Sequence, residues 1–125
     1  MSATNFLEDA ILRATLTGNT YAGGTVYVAL YSSGPTEASS ATELSGSGYA
    51  RSSVAFSVTS GTATNTANVT IGPATANWST ATGWGIVDAS TGGNILYAGN
   101  FGVPQTVKDT RSLTFETGKI SISIN

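Results

Sequence analysis

The sequence predicts an all-β domain, an antiparallel β-sandwich or small barrel of about seven or eight short strands preceded by one short N-terminal α-helix. Three observations carry that expectation. Helical spacing of apolar residues occurs near the N-terminus, in Asn5–Leu16. After it the apolar residues recur with period two, the repeat of strands whose alternate side chains face a core. Gly- and Ser-rich turn signals separate these stretches at intervals of about 8–12 residues.

The helix is read over residues 5–16, NFLEDAILRATL. Asn5 with Glu8 three positions on resembles a capping box, and Gly18 is a stop signal. Phe6, Leu7, Ala10, Ile11 and Ala14 follow helical spacing, while Leu12 and Leu16 widen the apolar stripe. Such a helix either closes one end of a sheet core or packs as an arm on a neighbouring subunit.

TVYVALY (Thr25–Tyr31) is apolar on both faces, as a central strand is. Ser32–Gly48 then forms a long loop without periodicity, and loops of that length tend to carry function. YARSSVAFSV places Val54, Phe56 and Val58 on one side. SGTATNTANVTI holds a polar turn and a strand ending near Ile71, and GPATANWSTAT is a connection. TGWGIVDA and NILYAGNF flank STGG, a strong hairpin signal because glycine supplies positive φ. RSLTF and KISISIN follow, the last with Ile120, Ile122 and Ile124 on one face and Lys119, Ser121 and Ser123 on the other.

The 125 residues form one domain, with 40% hydrophobic residues for its core. Charged residues are only 10%, against roughly 25% in an average globular protein. A polar but barely ionic surface suits a protein that stands against neighbours in an assembly. Net charge is −2 with five scattered basic residues, so no nucleic-acid footprint is present. No stretch is long and apolar enough to span a membrane. MSATNFLEDA lacks the basic start of a secretion signal, so use without secretion is expected.

The chain has neither Cys nor His, which removes the thiolate nucleophile, the commonest general base and the commonest zinc ligands. Of the acids only Glu8 and Asp9 adjoin, and they sit in the first helical turn, where the helix dipole favours them. A two-carboxylate glycosidase stays open only formally, since distances in space cannot be read from sequence. No enzyme activity, cofactor or metal is expected.

Arg51 is a lone charge at a strand start. Either it binds a ligand carboxylate or sugar, or it ties down the preceding loop, pairing with Glu43 or Glu37 and bonding loop carbonyls. The rigid fork of donors favours the second role. Trp78 and Trp84, with Tyr21, Tyr27, Tyr31, Tyr49 and Tyr97, could line a carbohydrate platform; Trp84 and Tyr97 fall inside alternating strands and belong to a core, whereas Trp78, in ANWST, is the candidate glycan contact. Asp88 is placed to bond within the STGG turn, and Asp109 to pair with Arg111. The sequons at Asn68 and Asn77 are idle without secretion.

The order of elements, with VYVALYSSGPTEASSATELSGSGYAR (Val26–Arg51) and GWGIVDASTGGNILYAGNF (Gly83–Phe101), resembles a family of small tailed-bacteriophage virion proteins. Glu43, Gly46, Gly48, Tyr49, Ala50 and Arg51 match the first motif of that family. Gly85, Ile86, Asp88, Ala89, Gly92, Gly93 and Asn94 match its hairpin. Lys108-Asp109-Thr110 departs from the Gly-Asp turn its members often carry. The resemblance implies a non-enzymatic virion structural protein, either a capsid cement or decoration protein or one labelled tail-fibre.

Of these, cement is the expectation, because one compact domain leaves little room for a shaft and an attachment domain together. The partners would be the major capsid protein and further copies of the chain, as trimers, held by multivalent contacts. Arg51, Glu43, Tyr49, Phe6, Leu12 and Leu16 are the candidate interface and loop-anchor residues. On this reading Arg51→Ala loosens the loop with little loss of folding. The alternative is a tail-fibre or receptor-binding module that meets host polysaccharide through Trp78.

Overall fold

The computed structural model describes residues 2–123. Eleven short strands and one helix follow in the order β1 (Ser2–Ala3), α1 (Asn5–Leu16), β2 (Val26–Ser33), β3 (Thr42–Glu43), β4 (Ser52–Val54), β5 (Phe56–Thr59), β6 (Thr62–Asn65), β7 (Val69–Ile71), β8 (Ala81–Val87), β9 (Ile95–Gln105), β10 (Leu113–Phe115) and β11 (Ser121–Ser123). Every strand pairing is antiparallel. All-β with an N-terminal helix is therefore the architecture.

The larger layer is a six-stranded sheet in the order β1-β9-β8-β2-β3, with β4 sharing the outer edge of β2 with β3. β2 and β8 are buried over most of their length because one face lies beneath a second layer and the other is filled by side chains of the sheet itself. That second layer consists of β5, β6 and β11 together with β7 and β10. Val28, Leu30 and Ile86 from the first layer meet Ile71, Ile120 and Ile122 from the second in one core. Each of these side chains contributes about 1.5–3 kcal/mol when fully buried, as an upper estimate. On the opposite face of the large sheet, Ala29, Tyr31 and Val87 make a smaller cluster against Tyr27 and Ile95.

The strand count exceeds the expected seven or eight for local reasons. A strand pair running β6–β7 against β10–β11 is broken at Asn65, which is buried. Its carboxamide donates to Ala67 O and Glu116 O and accepts from Ile120 N. The loop expected over 32–48 begins later, because β2 runs to Ser33, and it contains β3. NILYAGNF continues as far as Gln105: Gly83 pairs with Asn100 and Ala81 with Gln105. Four residues of β9 thus bulge opposite one of β8, and the bulge accommodates Pro104 and exposes Val103. Ile120 and Ile122 point inward between exposed serines as the alternation requires; Ile124 lies outside the described residues.

The helix cap is Thr4 and not Asn5. β1 pairs with β9 up to Ala3, so the turn into the helix falls one residue earlier than the capping-box pattern indicates. The Thr4 hydroxyl accepts from Leu7 N and donates to Ile95 O at 2.6 Å, which fastens the helix start to β9. Leu7 is the buried anchor, and Gly18 at φ +79° follows the last turn as expected. Among the described residues no helix is long and apolar enough to cross a membrane.

Candidate functional site

The motif residues Glu43, Tyr49 and Arg51 converge with the tip of the β8–β9 hairpin, residues 88–94. Arg51 Nε and Nη2 donate to the two oxygens of Glu43 at 2.9 and 2.8 Å, a fork-on-fork pair. Nη1 donates to the carbonyls of Ala89 and Gly92, both at 2.8 Å. The Arg51 side chain is only 9% exposed. Four of its five N–H donors are committed within the chain. Arg51 thus ties the Glu43–Arg51 loop to the hairpin tip, and Glu37 is not its partner. Glu37 instead uses its backbone carbonyl, which accepts from Asn5 N at the helix start.

The hairpin tip presents those two carbonyls because Asp88 braces it. Asp88 Oδ1 accepts from Asn94 N at 2.7 Å and Oδ2 from the Asn94 carboxamide at 3.1 Å. Gly93 sits at φ +74°, and a Cβ there would lie 2.5 Å from Asp88 Oδ1. Glycine is required for both reasons. The intramolecular bond expected of Asp88 is therefore present.

Tyr49 completes the cluster. Its hydroxyl donates to Glu43 Oε2 at 2.6 Å and accepts from Leu30 N at 3.0 Å. Burial pulls the Glu43 carboxyl upward, but its bonds to Arg51 and Tyr49, with the Arg51 charge, outweigh burial and hold it below its ordinary value. Burial, then the bond to Glu43, pushes the Tyr49 hydroxyl far up. Arg51 is raised chiefly by its bond to Glu43. All three groups keep their protonation state across neutral pH.

Trp78 is buried, at 6% exposure, and cannot stack on a sugar. Its ring meets Tyr49 edge-on at 5.6 Å and its indole N–H donates to Ser47 O at 2.8 Å. Ser47 O also accepts from Thr75 N. Gly48, at φ +80°, lets the loop pass Pro73, whose carbonyl would lie 2.9 Å from an added Cβ. The connection carrying Trp78 therefore clamps the 43–51 loop from the side opposite the hairpin. The glycan role assigned to Trp78 falls: a large apolar side chain in a short connection found the core.

Asp109 and Arg111 do not pair; the ion pairs among the described residues are Arg51–Glu43 and Arg13–Asp9. Asp109 N is instead held by Asn77 Oδ1, and the second sequon residue, Asn68, accepts from Thr117 N. Both asparagines are staples between turns. Among the described residues no three acidic side chains gather as metal ligands. With its carboxylate neutralised and its arginine committed, the Glu43–Tyr49–Arg51 cluster is a rigid latch. It offers no nucleophile with an adjacent base.

The helix candidates separate in space. Leu12 and Leu16 lie on the outward side, 56% and 76% exposed, opposite buried Leu7. Phe6 lies on another side, in a cleft with Asp9, Arg13 and Tyr21. Leu12 and Leu16 were legible as surplus apolar stripe, and Tyr21 only as one of several aromatics; Asn19 carried no signal in the sequence, because the cleft forms only when the segment after the helix folds back.

A model of the family described as "Podophage GP4 fiber I protein gp80" matches residues 2–123. The chain belongs to that family. No curated protein matches it. It is thus a phage fibre protein, non-enzymatic and part of the virion. This supports the tail-fibre alternative better than the expectation of a capsid cement protein. That expectation assumed a shaft and an attachment domain had to fit within one chain, whereas a fibre can divide those tasks among subunits.

Proposed function

We propose that this fibre-family chain is a rigid assembly module, joining neighbouring fibre subunits through the outward ridge of its helix. Leu12 and Leu16, one turn apart and largely in water on a helix pinned to β9 through Thr4, carry the reading. Two adjacent exposed leucines on a fixed helix lose little conformational entropy when covered, and each adds about 1.5–3 kcal/mol once buried. The Arg51 latch supports the same role by holding the 43–51 loop and the hairpin tip as one body. The partners on this reading are other fibre subunits, copies of this chain among them.

The test is incorporation. Phage carrying Leu12→Glu with Leu16→Glu should make folded chain that is missing from purified particles, as measured by quantitative mass spectrometry against the major capsid protein. Wild-type chain should be present in few copies per particle. Hundreds of copies would return the chain to head decoration, and wild-type incorporation of the double variant would remove the ridge from assembly.

A further inference from the structure

β5 ends its sheet: it pairs with β6 on one side and with no strand on the other among the described residues. The turn between β5 and β6 is two residues long, Ser60 and Gly61 at φ +51° and +79°. In a hairpin of that kind the flanking residues, Thr59 and Thr62, exchange both backbone bonds. Alternation along the antiparallel pair gives Ser57 and Thr64 the next such exchange. The N–H and C=O of Phe56 and Val58 therefore face away from β6, along the open edge, and among the described residues no loop or turn bonds to them. Val54, Phe56 and Val58 alternate along the chain, yet they grade from buried through half-buried to 73% exposed. The core runs out beneath the end of β5. Solitary edge strands are blunted by charge, proline, a bulge or extreme shortness. Two other edges of this chain are: β3 is two residues long and holds Glu43, and β9 beyond β1 has its bulge and Pro104. β5 has none of these, and no charged residue occurs from Ser52 to Val87.

We propose that β5 pairs antiparallel with β5 of a second copy of this chain, across a two-fold axis at Ser57, so that two three-stranded sheets become one. The edge is self-complementary in that register. Phe56 stands opposite Val58 of the second copy, and each opposed pair exchanges both of its outward backbone bonds. Other centres do worse. An axis at Val58 opposes Phe56 to the turn residue Ser60, and an axis at Phe56 opposes Val58 to Val54, whose backbone belongs to the β2–β4 ladder. The Ser57 register also lays the half-buried Phe56 ring of one copy beside the exposed Val58 of the other, an aromatic and β-branched pair of the kind that stabilises sheets. It brings the Ser60–Gly61 turn of the second copy beside Val54 and Ala55, where an open depression of about 540 Å³ lies. Because the whole stretch is uncharged, two copies meet there without like charges opposed.

This contact lies on a different element from the leucine ridge, so it stands or falls separately from the assembly role. It goes beyond that role in naming one partner, a second copy, and the register in which the two meet.

The chain has no cysteine, so a single introduced thiol reports the register. With the axis at Ser57, the two Ser57 Cα atoms stand about 4.5 Å apart as a non-hydrogen-bonded pair, within disulfide reach. The two Thr59 Cα atoms are offset by roughly 13 Å along the strands. Under mild oxidation Ser57→Cys should become a disulfide-linked dimer, and Thr59→Cys should stay monomeric. Sedimentation is carried out on Leu12→Glu with Leu16→Glu, which keeps the ridge out of the reading. That chain should self-associate at concentrations up to about 1 mM, the range for so small an interface. Amide exchange at Phe56 and Val58 should slow as it associates, while Ser57, bonded to β6, is slow throughout. Adding Val58→Lys, at an exposed position, should weaken association at least about ten-fold. A folded ridge variant that stays monomeric to that concentration, with fast exchange at Phe56 and Val58, overturns the proposal. So does Thr59→Cys crosslinking as readily as Ser57→Cys, or Val58→Lys associating as its parent does.

Discussion

The Tyr49 hydroxyl accepts the backbone N–H of Leu30 at 3.0 Å, in the gap between the two strands that share the edge of β2. β4 pairs with Val26–Val28 and β3 with Tyr31 and Ser33, leaving Leu30 between them. Leu44 N satisfies Leu30 O, and Tyr49 supplies the missing acceptor. A side chain thus stands in for a rung of the ladder.

Tyr49→Phe keeps the ring against Trp78 but strips that acceptor from a residue with no solvent exposure. An orphaned buried donor costs about 1–3 kcal/mol, so chemical denaturation should show a loss of about 2 kcal/mol with the m-value unchanged. A loss below a few tenths would mean water replaces the hydroxyl.

Arg51 separates geometry from charge. Arg51→Lys keeps the charge but cannot span both Glu43 oxygens and two carbonyls, so about 1–2 kcal/mol should be lost. Arg51→Ala should lose about 2–3 kcal/mol, less than a fully buried pair, since a quarter of Glu43 stays in water. Both variants should remain folded, with faster hydrogen exchange in residues 44–50 and 88–94. If Lys rescues fully, the bidentate fork is not what matters.

Glu43 gives the latch an acid limit. Its folded-state value lies below the ordinary one. The stabilisation is therefore complete above about pH 4.3, the ordinary value, and fades as pH falls through the depressed one. Stability measured from pH 7 down to pH 2 should drop in that window, and the drop should shrink in Glu43→Gln. An unchanged acid slope in that variant would assign the loss to other carboxylates.

Tyr31 is 2% exposed and its hydroxyl has no partner among the described residues. Burial first, then the Glu43 charge, pushes it up to about 12. Because the unfolded chain ionises near about 10, the neutral hydroxyl favours the fold below that pH, and the advantage is lost as pH rises towards the folded value. Tyr31→Phe should raise neutral-pH stability by about 1 kcal/mol, the desolvation cost of an unpaired hydroxyl, and should lessen alkaline unfolding. A destabilised variant would point to a water bridging that hydroxyl.

The sequence made the β2 strand, the β8–β9 hairpin and the helix span legible, because period and turn chemistry are local. Arg51 with Glu43 was legible as an acid–base pair across a loop. Its bonds to Ala89 O and Gly92 O were not, since main-chain acceptors leave no mark in a sequence and the hairpin comes from 38 residues away. Trp78 misled because exposure was inferred from its place in a connection, while packing on Tyr49 decided it. The Asn65 break and the β9 bulge depend on pairing register, which alternation alone cannot fix.

Thr110 departs from the turn pattern that the resemblance led one to expect, and the backbone registers the departure. Arg111 N closes the turn onto Lys108 O, and Thr110 sits at φ +69° while its N–H bonds to Ala74 O. A β-branched side chain in the left-handed region crowds its own backbone, at a cost of about 1–2 kcal/mol. Thr110 is exposed, so little packing offsets that cost. Thr110→Gly removes the crowding but adds freedom to the unfolded chain, so the net gain should be about 0.5–1 kcal/mol. Thr110→Asn, which tolerates the same φ with less added freedom, should match or exceed it. Thermal unfolding of both variants decides the point: if both melt lower than wild type, the threonine side chain is contributing a contact that outweighs its strain.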